Sequence, residues 1–284
     1  MPRLVILIMV LSVAQCKKES GDPMTRSNAE RFDTILSAVF FPRPDMPFEP
    51  EARGAMDRFF DVGDGTRLRL RLFLGDPKAP VILFFHGNGE TGRDYDHLAD
   101  AYRSLPASLV VAEYRGYGGS TGRPSMLTFL KDAHREMDEA KRILAEQGRI
   151  GPLVVMGRSL GSAPAIELAS SQNQEIKALI VESGFGRLVP LLHLMGIPAH
   201  KFGITEAHGP ENLAKMERIS MPTLILHAEE DDIIPIREAE ELFTASRDPG
   251  KVFVRVPHAG HNDIQARAGA TYFEAIRKLL DRIR

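Results

Sequence analysis

Hydrophobic residues occur along this chain in two kinds of segment, and the two kinds alternate. Uninterrupted apolar runs of four or five residues are typical of strands covered on both faces, as in the centre of a parallel sheet. Such runs occupy residues 81–85, 109–112, 153–156, 178–181, 223–226 and 252–256. Apolar residues at helical spacing occupy 94–105, 126–147, 235–246 and 271–283. This alternation predicts an α/β fold, with a mostly parallel sheet and helices on both of its faces.

A different pattern precedes these runs. Residues 58–62 and 68–74 flank the turn Gly63-Asp64-Gly65, which predicts a hairpin and brings the sheet to eight strands. Leucines alternate in the second arm with three arginines, at positions 67, 69 and 71. We therefore predict that the arginines lie on a solvent-exposed face at the edge of the sheet.

The chain divides into a short leading part and one large domain. With 284 residues and 43% hydrophobic content, a single α/β domain at 53–284 fits better than two small ones. Residues 24–52 form a lead-in, with a short helix at 25–39 and a proline-rich stretch at 40–47 that we expect to wrap the domain surface. Residues 184–220 show no strand pattern and predict a small lid insertion, with a plain surface crossover as the alternative.

Charge and cysteine content exclude several classes of protein. Lys and Arg number 36 against 38 Asp and Glu, the net charge is -2, and neither sign forms a long run, so no nucleic-acid partner is expected. The single cysteine has no disulfide partner, and no Cys/His spacing typical of a zinc site occurs. We predict no metal and no organic cofactor.

The first 23 residues have the layout of an export signal and tether. An apolar run at 4–14 follows Arg3 and is too short to span a bilayer, and Cys16 and a polar stretch come after it. This resembles a bacterial lipoprotein signal, which implies lipid anchoring through Cys16 in the cell envelope. Gln15 departs from that pattern, because a small residue is expected there. The alternatives are an uncleaved apolar tail, or translation from Met24 and a cytoplasmic protein.

The strongest chemical signal is the stretch at 153–166, where an apolar run enters Gly-Arg-Ser-Leu-Gly and then a helix-forming segment. Between a strand and a helix, G-x-S-x-G is a nucleophile elbow, which exposes the serine hydroxyl above the sheet. Ser159 is therefore the candidate nucleophile. The oxyanion that forms when Ser159 attacks a carbonyl group would be held in part by the backbone N–H of Leu160 at the start of the helix.

The same spacing occurs a second time, around Ser120. That serine comes several residues after the end of an apolar run and is followed by Arg123-Pro124, which continues a loop. Because the motif has meaning only between a strand and a helix, we interpret Ser120 as a loop serine.

Polar motifs follow the other predicted strands at the same edge of the sheet, where ligands gather in folds of this kind. They lie at 86–90, 113–118, 227–235 and 258–263. A serine, an acid and a histidine thus follow strand ends in the order Ser, Asp, His, which is the order of the α/β-hydrolase fold.

On these residues the chain resembles serine hydrolases of the α/β-hydrolase superfamily. It is similar to a branch of small proteins regarded as esterases, which includes the mammalian palmitoyl-protein thioesterase-like enzymes. The likeness spans 59–284 and rests on motifs at 86–89, 114–124, 157–161, 227–235 and 260–262. Ala228 and Ile234 stand where that branch has glycine and valine.

The resemblance implies a Ser159-His261-Asp231 triad, with the N–H of Asn88 as the second oxyanion donor. An imidazole, with a pKa of about 6.5, can take the serine proton near neutral pH, and an aspartate can fix its tautomer. His258 is an alternative base. Asp232 is an alternative acid, although it would suit a cap of the helix that starts near residue 235.

The predicted activity is hydrolysis of carboxylic esters or thioesters of small or acylated substrates through an acyl-enzyme. The first alternative is a serine peptidase of the prolyl-oligopeptidase type, although those enzymes usually bring a propeller domain or an aromatic-rich elbow, and the chain has no Trp and no such domain. The second is a non-catalytic ligand-binding relative, although no triad member is missing. A serine at the elbow argues against a dehalogenase, which would have aspartate there. The sequence gives no indication of oligomeric state.

Overall fold

The computed structural model describes residues 28–45, 54–105, 107–171 and 174–283. The predicted signal and tether at 1–23, with Cys16, and the start at Met24 lie outside the described residues. Lipid anchoring and export therefore remain predictions. Within the described part of the chain, no helix combines the length and the apolar character needed to cross a membrane.

An eight-stranded sheet forms the centre of the molecule. Its strands are β1 (Ala55–Asp61), β2 (Arg67–Phe73), β3 (Val81–Phe85), β4 (Ser108–Glu113), β5 (Leu153–Arg158), β6 (Ile176–Glu182), β7 (Thr223–Ala228) and β8 (Val252–Val256). Their order is β1-β2-β4-β3-β5-β6-β7-β8. β2 pairs antiparallel with β1 and β4, and all other neighbours are parallel. The predicted hairpin and the mostly parallel eight-stranded sheet are confirmed.

Helices cover both faces of the sheet. They are α1 (Asn28–Leu36), α2 (Ala99–Ser104), α3 (Met126–Glu146), α4 (Ser162–Ser171), α5 (Leu188–Leu194), α6 (Ala199–Phe202), α7 (Asn212–Met216), α8 (Ile236–Ala245), α9 (Ile264–Ala268) and α10 (Ala270–Asp281). The start of the long helix α3 is specified by its own sequence, because Ser125 and Thr128 form a reciprocal capping box at its N-terminus.

Two hydrophobic cores result, one on each face. In β3, Val81, Leu83 and Phe85 point into one core, and Ile82 and Phe84 point into the other. The first core is closed by α1, α3, α4 and α8, and the second by α2, α9 and α10. Each central strand therefore buries both of its faces, which explains its uninterrupted apolar sequence.

The prediction of a solvent-exposed arginine face on β2 holds for Arg67, which is exposed, but was wrong for Arg69 and Arg71. β2 lies inside the sheet, and the side chains of Arg69 and Arg71 are only 2% and 1% exposed. Arg69 pairs with Asp45 of the lead-in and with Glu113, and Arg71 pairs with carboxylates on β1 and on the 3₁₀ turn Gly92–Leu98. The alternating pattern was real, but two of the three arginines on the polar face meet carboxylates and not water.

The segment 184–220, all of which is described, contains α5, α6, the 3₁₀ turn Glu206–His208 and α7, and no strand. Side chains from α5 and the residue after it reach the cavity described below. That this segment opens and closes as a lid remains a proposal.

Candidate active site

Ser159 stands at the turn between β5 and α4 in a strained backbone conformation. Its φ of 52° lies in the left-handed region, which residues with a Cβ rarely adopt. The turn is tight enough to require glycines on both sides. A Cβ at Gly157 would lie 2.2 Å from the Gly161 carbonyl oxygen, and one at Gly161 would lie 2.1 Å from the Phe85 carbonyl oxygen. The G-x-S-x-G spacing therefore fits this geometry and exposes the hydroxyl at the carboxyl edge of the sheet.

Three residues that are far apart in the sequence meet at this edge. The Nε2 atom of His261 lies 2.9 Å from the Ser159 Oγ, and its Nδ1 atom lies 2.8 Å from Oδ2 of Asp231. The side chain of His261 is 4% exposed and that of Asp231 is fully buried. Serine, imidazole and carboxylate thus form one hydrogen-bonded chain, with distances suited to proton transfer.

Asp231 is also held by the backbone. Its Oδ1 accepts hydrogen bonds from the N–H groups of Ile233, at 3.0 Å, and Ile234, at 2.7 Å. Burial works to raise the pKa of Asp231, but the hydrogen bond with His261 and the backbone donors outweigh it, so the pKa lies below its usual value. The carboxylate is therefore ionised at neutral pH and can stabilise an imidazolium.

The alternatives to these residues have other positions. His258 is 86% exposed, and its Nδ1 lies 3.1 Å from Glu230. Asp232 is exposed and makes no bond of the kind that Asp231 makes with His261. Its predicted role as a helix cap was wrong, because the N-cap of α8 is Pro235 and no side chain caps it. His86 is fully buried, and burial lowers its pKa to about 4, so it is neutral at physiological pH.

The two predicted oxyanion donors lie on neighbouring loops. β3 and β5 are parallel neighbours in which Phe85 pairs with Gly157. Asn88 follows the first of these residues by three positions, and Leu160 follows the second by three positions. Both line the same cavity as Ser159 and His261. The sequence prediction thus brought together residues that the fold also brings together.

Sequence reasoning missed Arg158, the residue directly before Ser159. Its guanidinium pairs with Glu90 and Glu182, and its Nη2 donates to the carbonyl oxygen of His261 at 2.9 Å. Burial opposes its charge, but the two carboxylates raise its pKa above the usual value. One buried cation therefore connects the 86–90 loop, the elbow and the histidine loop. Its place inside the elbow motif was the only signal in the sequence.

A cavity of about 260 Å³ opens above Ser159. Its walls are mostly apolar and come from the lead-in, from the segment 184–220 and from the loop after β7. The lining residues are Val39, Phe41, Asn88, Arg158, Ser159, Leu160, Phe185, Leu191, Met195, Ile233, Ile234, His261 and Asn262. None of these described residues is an aspartate or a glutamate.

No group of three or more His, Cys, Asp or Glu side chains suited to a metal ion occurs in the part of the chain that the structure describes. The hydrogen-bonded chain described above can perform nucleophilic chemistry with protein groups alone.

Sequence comparisons identify relatives over most of this chain. Residues 75–202 match the family model described as serine aminopeptidase, S33. An uncharacterized protein of Mycobacterium tuberculosis is 32% identical over 230 residues, which cover 79% of this chain and 78% of that protein. The α/β hydrolase domain-containing protein WAV2 of Arabidopsis thaliana is 28% identical over 245 residues, covering 80% of this chain and 78% of that one.

Solved structures show the same fold. Mouse α/β hydrolase domain-containing protein 10 superposes with a TM-score of 0.65 at 17% identity, covering 81% of this chain and all of that one. At that level of identity the likeness concerns the fold, and the chemistry has to be argued from the residues of this chain.

Proposed function

The chain belongs to the α/β-hydrolase superfamily, and we propose that it is a serine hydrolase that cleaves carboxylic ester or thioester bonds through an acyl-enzyme. The observation that carries the proposal is the hydrogen-bonded chain from Ser159 through His261 to Asp231 at the base of an apolar cavity. Each step of the reaction can be assigned to one of these groups.

In the first step, Ser159 attacks the carbonyl carbon of the substrate while Nε2 of His261 takes the hydroxyl proton. Asp231 accepts the hydrogen bond from Nδ1, which fixes the tautomer with a free lone pair on Nε2. Because its carboxylate is already ionised, it stabilises the imidazolium as that forms.

The negative oxygen of the tetrahedral intermediate needs donors beside Ser159. We assign this role to the backbone N–H groups of Leu160 and Asn88, whose residues line the cavity next to the nucleophile. The imidazolium of His261 then protonates the leaving alcohol or thiol. A water molecule, activated by the same imidazole, releases the acid from Ser159 by the reverse sequence.

The walls of the cavity favour an acyl group over a peptide. An aminopeptidase has to bind the charged amine at the end of its substrate, and burying such a charge without a carboxylate partner is costly. None of the described lining residues is acidic, and most are aliphatic or aromatic. The aminopeptidase name of the matching family model therefore does not decide the substrate, and an apolar acyl group fits this cavity better.

The proposal is tested by replacing the nucleophile and its decoy. We expect Ser159→Ala to lower hydrolysis of short p-nitrophenyl esters by more than about a thousandfold and to abolish labelling by a fluorophosphonate probe. Ser120→Ala is the control, because Ser120 has the same G-x-S-x-G spacing but lies in a loop, where its hydroxyl donates to the Glu113 carbonyl and accepts from the N–H of Arg69. This variant should keep both activities.

Circular dichroism of both variants checks that they fold. Ester hydrolysis that survives in Ser159→Ala would refute the proposal. Cleavage of aminoacyl p-nitroanilides in preference to esters would favour the peptidase alternative.

A further inference from the structure

The lead-in crosses the cavity beside Ser159. The 3₁₀ turn Ser37–Val39 follows α1, and the chain then continues without a helix to residue 45, with one isolated bridge between Pro44 and Gly118. Val39, which is 1% exposed, and Phe41 contribute to the cavity wall together with Ser159 and His261. A segment that sequence analysis predicted to wrap the domain surface thus also forms part of the candidate substrate site.

The side chain of Asn88 is bound by the main chain of this segment. Its amide Nδ2 donates to the carbonyl oxygen of Val39 at 2.5 Å, and its Oδ1 accepts from the N–H of Phe41 at 2.8 Å. A carbonyl and the N–H two residues later are the two groups that a neighbouring strand would satisfy. The Asn88 amide therefore replaces a strand partner, and the backbone of the lead-in fixes its orientation.

Tyr117 completes this arrangement. Its hydroxyl donates to Oδ1 of Asn88 at 2.7 Å, and the N–H of Phe41 lies 2.8 Å from the same hydroxyl oxygen. One phenol thus contacts both the candidate oxyanion loop and the lead-in. Tyr117 is fully buried, so these hydrogen bonds form away from water.

The next residues attach the lead-in to the same loops. Nε of Arg43 donates to the carbonyl oxygen of Gly89 at 2.8 Å, and its own carbonyl accepts from the N–H of Gly118 at 2.8 Å. Asp45 then pairs with the buried Arg69 of β2. The main chain is therefore held on both sides of Phe41, which keeps this residue at the cavity wall.

We infer that the lead-in forms part of the acyl-binding site. The ring of Phe41 limits the length of the acyl chain that can bind, and the contacts between Asn88 and the lead-in main chain position the oxyanion loop. This inference rests on the proposed hydrolase function. Phe41 contributes the largest side chain that the lead-in places in the cavity. The substrate class is therefore an ester or thioester of an apolar acid whose acyl chain reaches this ring.

The specificity part is tested with a series of p-nitrophenyl esters from acetate to dodecanoate. Phe41→Ala removes the ring from the wall, and we expect the ratio of kcat/KM for long esters to that for short esters to rise on the order of tenfold. Phe243→Ala is the matched control, because Phe243 is also half-buried but packs against Phe253 outside the cavity. The control should keep the wild-type ratio.

The positioning part is tested with Tyr117→Phe, which removes only the hydroxyl. We expect kcat and the rate of fluorophosphonate labelling to fall by roughly three- to tenfold, about the effect of one lost hydrogen bond between neutral groups. KM and the chain-length ratio should stay as in the wild type. A purely structural role would lower the melting temperature without this selective loss of kcat.

The outcomes distinguish a failure of the proposed hydrolase function from a failure of the roles assigned to the lead-in. If the wild-type protein neither reacts with the probe nor cleaves any ester, the proposed function fails. If the wild type is active but Phe41→Ala keeps its chain-length ratio while remaining folded, the specificity inference is overturned. If Tyr117→Phe retains wild-type kcat, the positioning inference is overturned.

Discussion

At the scale of single residues, two histidines three positions apart show that the chemical role open to a side chain depends on its surroundings and not on residue type alone. His261 is 4% exposed and lies between Ser159 and Asp231, whereas His258 is 86% exposed and faces Glu230. Burial and its two partners suit His261 to the role of general base in the proposed mechanism. The same ring three residues earlier is a surface side chain.

This contrast gives a direct prediction. His261→Asn should lower kcat/KM for ester hydrolysis by roughly a hundred- to ten-thousandfold, since it removes the general base. His258→Asn should leave kcat/KM within about twofold and have little effect on stability, because asparagine tolerates the positive φ of 58° at that position. Steady-state kinetics on one ester suffices, and the opposite pair of results would assign the base to His258.

Motif spacing was sufficient to identify the candidate residues. The pattern of apolar and polar positions, however, was insufficient to predict what surrounds the buried polar side chains. Ser159, Asp231 and His261 each follow a strand, so their meeting at one edge could be predicted from sequence order. Arg69 and Arg71 were misplaced, because alternation shows that one face is polar and does not show whether that face meets water or carboxylates. Whether a polar face meets water or carboxylates depends on residues elsewhere in the chain, such as Asp45.

At the scale of elements, Arg158 connects three loops that must keep their relative positions. It pairs with Glu90 of the candidate oxyanion loop, lies at the end of β5 and donates to the main chain at His261. Its partner Glu182 ends the adjacent strand and also accepts a hydrogen bond from Tyr272 on α10 at 2.5 Å. On these contacts we propose that Arg158 positions the loops of the candidate active site.

Two substitutions at Arg158 separate the effect of its positive charge from the effect of its side-chain shape. Arg158→Met leaves two carboxylates without their cation, and we expect a loss of about 3–5 kcal/mol in the free energy of unfolding at neutral pH. Arg158→Lys keeps the charge but not the forked donors. It should retain most of the stability while kcat falls by roughly ten- to a hundredfold with KM nearly unchanged.

Urea titration and ester kinetics measure the two effects. Arg255→Lys is the matched control, since Arg255 is half-exposed on β8 and pairs only with Glu240 among the ion pairs formed by described residues. An Arg158→Lys variant with wild-type kcat would show that its bond to the histidine loop is not required.

The strands and long helices could be predicted because each is specified by its own sequence. The lead-in could not be placed in this way, since its bonds to Asn88 join residues 47 and 49 positions apart. Its proline-rich sequence excludes a helix and does not indicate which loop it will meet. The participation of Val39 and Phe41 in the cavity therefore emerged only from the structure.

At the scale of the whole molecule, one buried carboxyl opposes folding at neutral pH. Glu136 on α3 is 1% exposed, and its Oε1 has no hydrogen-bond partner. Burial, together with the nearby charges of Asp132 and Glu113, raises its pKa well above the usual 4.5. The folded protein therefore holds this proton more tightly than the unfolded chain does.

The sign of the pH effect follows from that difference. Burial of Glu136 carries no charge penalty below pH 4.5, and stability declines as pH rises from there toward the raised pKa of the folded state. Glu136→Gln removes the proton equilibrium at nearly constant shape. It should raise the free energy of unfolding at pH 8 by at least about 1 kcal/mol, or the melting temperature by roughly 2–4 °C.

Calorimetry at several pH values tests this prediction, and the gain should shrink as the pH falls and vanish below pH 4.5, where the carboxyl is protonated in both states. Asp138→Asn, an exposed change on the same helix, should give no such trend. A gain for Glu136→Gln that is the same at every pH would contradict the explanation.

The pairing of Phe85 with Gly157 has a consequence for protein engineering. The loops that carry Asn88 and Leu160 begin at paired positions of adjacent strands. The distance between the starts of the two loops is therefore set by main-chain hydrogen bonding, which holds neighbouring strands about 4.8 Å apart. Side chains inside β3 and β5 can be exchanged for others of similar volume without altering that distance. A designer who grafts both loops onto another parallel sheet would therefore have to copy the register first, and only then the residues.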